Sequence, residues 1–300
     1  MARSFRTQLV VGLTASLLLG GLTPSTRAEA ADGTVWALRG ASSTIYLAGS
    51  VHLLRADDAE LPPALLSAYA DAEALVMEVD MDDLDPMAAA RFTQQYALFT
   101  GDGGLRTTLG EALWTRASAA GDRLGIPLKA LDRLEPWAVA LLLSVTELTQ
   151  TGLDPQFGVE EQLKRRAGRD GKPITGLETI EYQLGLFDAL DMAAQARFLD
   201  LSLRAAADIQ SELATLTRAW REGRIAELER VLLQEYATFP ELYEALIYRR
   251  NRAWIPRLRA LTEGSVDTLV VVGAMHLIGE HGVIALLRGA GLDPQPLRLH

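Results

Sequence analysis

The chain has 300 residues, 49% apolar and 23% charged, with a formal net charge of −10. That balance suits a globular protein with a substantial core and excludes disordered, collagen-like and polytopic membrane classes. There is no cysteine, which removes thiolate metal sites, iron–sulfur clusters, disulfides and cysteine nucleophiles, and the acidic charge argues against a nucleic-acid partner.

At the start of the chain, Arg3 and Arg6 precede an apolar stretch from Leu9 to Leu22, and Ala28-Glu29-Ala30 forms an A-x-A processing site. The sequence predicts a signal peptide over residues 1–30, cut after Ala30, and a periplasmic or secreted mature chain. The stretch is short and glycine-rich for a membrane span, so no stable span is expected after cleavage. An uncleaved anchor is the alternative.

Two β-rich segments, at 35–38 and 44–48, flank a hairpin turn. Pro62 and Pro63 start a helix that runs to about Ala72, and Ala74–Val79 reads as a buried strand. Shorter strands are expected at 127–131 and 173–176. From 192 to 262 the 3.6-residue periodicity is almost continuous, broken near Gly223 and Pro240. The clearest strand follows at 268–272, and a last helix at about 282–288. The expected fold is α/β: one domain over 31–300, with a mixed sheet built from N- and C-terminal strands and a large helical insertion over about 180–262.

An internal echo carries the functional reading. Apolar strand, glycine, two residues, histidine occurs twice, ending at Gly49-Ser50-Val51-His52 and at Gly273-Ala274-Met275-His276. Function in α/β sheets gathers beyond the carboxyl ends of strands, so neighbouring strands would bring His52 and His276 to one point. Glu78 sits near the end of the 74–79 strand, a costly place for an unpaired charge, and Glu178 follows another short strand. Two imidazoles and one or two carboxylates suit a divalent ion such as manganese, cobalt or zinc, which acidifies bound water for hydrolysis. The expected metal ligands are His52, His276 and Glu78. His281 and His300 are expected to face solvent. Metalloprotease H-E-x-x-H, serine-hydrolase G-x-S-x-G and nucleotide-binding glycine motifs are missing.

Six segments in order resemble the TraB/GumN family, to which the Wnt-cleaving Tiki peptidases are related. They are Leu47 to His52, Met77 to Asp80, Leu131 to Trp137, Gly171 to Thr179, Arg249 to Trp254, and Val272 to Leu277. The resemblance implies a site of both G-x-x-H histidines, a glutamate after the second core strand and an arginine on a late helix, here His52, His276, Glu78 and Arg252. Glu78, Arg252 and Glu178 are the expected catalytic residues. The resemblance further implies metal-dependent hydrolysis with manganese or cobalt, of a peptide or another small envelope substrate. Where relatives usually carry Gly-x-Asp, this chain has Gly158-Val159-Glu160, and Glu160 is therefore left out of the expected site. Similar folds among erythromycin esterases and haem-binding lipoproteins leave an alternative: a non-catalytic haem- or metal-binding protein, or a polysaccharide-export accessory protein of the envelope.

Overall fold

The computed structural model describes residues 33–80, 91–92, 94–233 and 239–298, the side chains of 205–212 excepted. The signal peptide expected over 1–30, and His300, lie outside them. Of the described residues, those in 91–152 and 179–210 form one compact unit, and those in 33–80, 153–178 and 211–298 form another.

The sheet unit opens with β1 (Val35–Arg39) and β2 (Thr44–Ser50), antiparallel with Val35 opposite Ala48. The Gly40 N–H donates to the Ser43 carbonyl at 2.8 Å to close the turn. Helix α1 (Pro63–Asp71) starts at a proline preorganised for that position. It leads into β3 (Ala74–Val79), apolar except at Glu78.

The helical unit then contributes α2 (Leu105–Leu124) and α3 (Pro136–Gln150). The strand expected at 127–131 is instead a 3₁₀ turn, Leu128–Leu131. Leu128 and Leu131, three residues apart, match the period of such a turn. The chain returns to the sheet unit as α4 (Val159–Asp170), stopped by Gly171 at φ 71°, and β4 (Ile174–Glu178). Helix α5 (Ile180–Asp188) and the first part of α6 (Met192–Glu222) complete the helical unit. Its core includes Phe187, whose ring centroid lies 5.9 Å from that of Trp137 and 5.4 Å from that of Phe198.

From residue 211 the helices belong to the sheet unit. They are the rest of α6, α7 (Ile225–Leu232), α8 (Pro240–Tyr243), a π-helical turn over Glu244–Tyr248 and α9 (Arg249–Thr262). The chain ends with β5 (Thr268–Gly273), α10 (Ala274–Leu277), α11 (Val283–Gly289) and the short β6 (Gln295–Pro296).

The six strands among the described residues form one mixed sheet in the order β4-β3-β5-β2-β1-β6, which makes the fold α/β. The run from β4 to β2 is parallel, while β1 and β6 are antiparallel additions. β5, with every residue buried, sits between β3 and β2, as a strand covered on both faces should. In register, Ser50 lies opposite Gly273 and Val79 opposite Glu178. The carboxyl ends of the four parallel strands therefore share one edge.

Candidate active site

The two G-x-x-H segments follow adjacent parallel strands, β2 and β5. Beyond β2 the chain carries His52 into a buried position, with 6% of its surface exposed. The start of α4 docks on this loop: Val159 N–H donates to the Val51 carbonyl at 3.1 Å. A Cβ at Gly158 would lie 2.0 Å from the His52 carbonyl oxygen. This close approach, open only to glycine, sets Glu160 beside the imidazole. His52 Nδ1 is 2.7 Å from Glu160 Oε1, within ion-pair distance. The Ser50 hydroxyl donates to that same oxygen, and the other oxygen, Oε2, is buried with no hydrogen-bond partner among the described residues. Burial pushes the His52 imidazole down, but the negative charges of Glu160 and Glu78 outweigh it and hold the ring above its ordinary 6.5.

The other side of the ring faces the end of β5. A Cβ built on Gly273 would meet His52 Nε2 at 3.2 Å, Glu78 Oε1 at 3.4 Å and His276 Cδ2 at 3.7 Å. Three side chains from three different segments thus converge on one point, kept clear by the missing side chain of Gly273. The Gly273 N–H donates to Glu78 Oε1 at 2.7 Å. Burial raises the Glu78 carboxyl, yet Arg250, both imidazoles and this N–H together hold it well below the usual carboxylate range.

Arg250 binds the cluster together. Its Nε donates to Glu178 Oε2 at 2.9 Å, its Nη2 to Glu78 Oε2, and its Nη1 to the Leu246 carbonyl at 3.2 Å. Nη1 also lies 3.1 Å from His276 Nε2. The guanidinium stands 5.1 Å from the ring centre of Trp254, whose own Nε1 donates to Glu178 Oε1 at 2.8 Å. The π-helical turn before α9 contributes the Leu246 carbonyl to this set.

The state of His276 follows from its neighbours. Asn251 Nδ2 donates to the His281 carbonyl at 2.9 Å, which turns Asn251 Oδ1 towards His276 Nδ1, 2.6 Å away. Nδ1 therefore carries the proton, and Nε2 accepts from Arg250. Burial, with the positive charge of Arg250, holds this imidazole neutral, its pKa lowered to about 3.

His52, Glu78, Glu178 and His276 are thus brought together. Arg252 is not: its side chain is exposed and pairs with Glu244, and Arg250 stands in the cluster instead. The reason is helical phase. Arg250, Asn251, Trp254 and Leu258 are buried on α9, whereas Arg249 and Arg252 lie on the solvent face. The apolar residues Trp254 and Leu258, stepped back by four, already point to 250 in the sequence. Glu160 is the second residue that sequence reasoning left out, and only the docking of α4 brings it in. His281 is partly exposed, its side chain at 40%, beside Tyr248 and Glu280.

The divalent ion expected at His52, His276 and Glu78 does not fit this arrangement. Arg250 occupies the His276 lone pair, and both Glu78 oxygens already accept hydrogen bonds. Among the described residues no three histidine, aspartate or glutamate side chains are grouped to hold a metal.

The sequence is similar to the uncharacterized protein YbaP of Escherichia coli strain K12, 27% identical over 243 residues that cover 81% of this chain and 87% of that protein. The Shigella flexneri YbaP matches to the same extent. An uncharacterized protein of Treponema pallidum strain Nichols is 23% identical over 265 residues, covering 84% of this chain and 79% of its own. No solved structure matches the chain. The TraB/PrgY/gumN family model matches residues 34–296, a span that holds every residue of the cluster, and the chain belongs to that family.

Proposed function

We propose that the chain is an exported hydrolase in which His52 is the base that activates water. The observation that carries this reading is the His52–Glu160 pair, with Glu160 behind Nδ1 and Nε2 turned to the clearing over Gly273. A histidine so held, with its protonation shifted upward by a carboxylate, suits proton transfer near neutral pH. Water attacks the carbonyl carbon as its proton passes to His52 Nε2, and the imidazolium then returns that proton to the leaving group as the scissile bond breaks. The fixed positive charge of Arg250 favours the negative charge that develops on the carbonyl oxygen. The substrate class, a peptide or another small envelope molecule, is what the family resemblance implies, and export by a leader cut after Ala30 is read from the N-terminal residues. A divalent ion is the rival to Arg250 as the catalytic cation. Haem ligation suits the cluster less, because His276 Nε2 is taken.

The test is cleavage of a mixed peptide library by the purified mature chain, in chelator, followed by mass spectrometry. Cleavage in chelator, reduced about a hundredfold or more in His52→Gln with an unchanged circular dichroism spectrum, is the expected result. Equal cleavage by the variant overturns His52 as the base. Cleavage that needs added manganese or cobalt assigns the catalytic cation to the ion.

A further inference from the structure

We infer that Arg250 and a divalent ion are alternative occupants of a single cation position, and that the guanidinium is the resident one. The acceptors around it are those an ion would need. Glu78 and Glu178 each give it carboxylate oxygens, and His276 gives it the Nε2 lone pair. The guanidinium spans all of them at once, which its planar fork allows and a point charge does not. It is held in turn by the Leu246 carbonyl and by the face of Trp254.

His276 cannot offer its other nitrogen, because Nδ1 is committed to Asn251. Glu78 Oε1 is committed to the Gly273 N–H. Of the nitrogens and oxygens expected to ligate, only His52 Nε2 has no partner among the described residues, and one imidazole does not make a transition-metal site. For an ion to enter, Arg250 must leave His276 and Glu78, and a buried guanidinium and a divalent cation repel each other across the same few ångströms. The chain thus carries, as part of its own sequence, the cation that its ligand-like residues would otherwise recruit. Taking Arg250 away releases Glu78 Oε2, Glu178 Oε2 and His276 Nε2 from the guanidinium, donors of the kinds that bind cobalt, manganese or zinc.

The inference does not rest on hydrolysis, because binding is measured directly. Cobalt(II) chloride is titrated into the apo mature chain, with visible absorption, calorimetry and tryptophan fluorescence as readouts. The proteins compared are the unmodified chain, Arg250→Lys and Arg250→Met. Lysine keeps the charge but cannot reach every acceptor, and methionine removes the charge. The expected result is weak binding by the unmodified chain, with affinity rising through Arg250→Lys to Arg250→Met by about tenfold or more in total. The gain should be lost again when His276→Gln is added. Stoichiometric, micromolar cobalt binding by the unmodified chain overturns the inference, and so does equal affinity in all three proteins. If Arg250→Met fails to fold, the unmodified chain and Arg250→Lys decide the matter by the same criteria.

Discussion

Arg250 and the two carboxylates it joins are almost completely removed from water, with side-chain exposures of 6% for the arginine and 5% for each glutamate. Such a pair adds little to stability over an apolar replacement, but losing one partner is costly. Arg250→Met is expected to destabilise the chain by about 3–5 kcal/mol at neutral pH, read as a lower urea midpoint. Glu78→Gln in the same background should recover part of the loss. The two histidines respond to pH in opposite senses. His276 titrates at about 3 when folded and near 6.5 when unfolded, so between those values only the unfolded chain takes up the proton. Stability should fall as pH drops through this window, His276 contributing at most about 1.4 kcal/mol per unit, and His276→Gln should remove that share while the share of the lowered Glu78 remains. His52 is raised, so its contribution is present in full below 6.5 and is lost as pH rises through its folded value. Glu160→Gln, by removing the charge that raises it, should move the acid limb of the hydrolysis profile to lower pH. An unmoved limb would mean that the base is another residue.

At the scale of elements, the site is made where strand ends and helix starts meet within the sheet unit, and two glycines set the spacing. Gly273 has φ −51° and ψ 137°, angles open to any residue, yet a Cβ there would crowd His52 Nε2 at 3.2 Å and come into contact with Glu78 and His276. Gly273→Ala should therefore leave the melting temperature close to that of the unmodified chain while lowering hydrolysis by about tenfold or more, as crowding displaces the reacting groups. Gly158→Ala should behave differently. Its Cβ would collide with backbone, the His52 carbonyl oxygen at 2.0 Å, so α4 must move off the loop. A loss of about 1–3 kcal/mol is expected, together with a lower His52 pKa by NMR as Glu160 withdraws. Equal melting temperatures for the two variants would show that the docking of α4 is not what positions Glu160.

For the whole molecule, the expected leader makes a prediction about processing. Protein recovered from the cell envelope should begin at Ala31 by N-terminal sequencing. Intact Met1 in the membrane fraction would support the anchor instead. No helix among the described residues is long and apolar enough to cross a membrane.

Much of this architecture is local in origin and could be read from the chain alone. The runs at 74–79 and 268–273 are apolar and β-branched, and such runs become central strands wherever they are covered on both faces. The repeated glycine and histidine spacing put His52 and His276 just past two strand ends, and a glutamate inside an apolar strand marked Glu78 as a group in need of a partner. The sequence could not determine that β2 and β5 are neighbours, because parallel pairing joins segments more than two hundred residues apart. That adjacency turns two weak motifs into one site. The phase of α9 was legible in Trp254 and Leu258, but a basic run at 249–252 looks alike on every face until packing buries one arginine and leaves the others in water. Glu160 stands where relatives usually carry the aspartate of Gly-x-Asp, but its place beside His52 comes from a helix start docking on a loop about a hundred residues earlier in the chain. The placing of Arg250 was likewise a matter of tertiary structure. His276 and the two glutamates are chemically suited to a metal or to a guanidinium, and it is the tertiary structure that sets Arg250 among them.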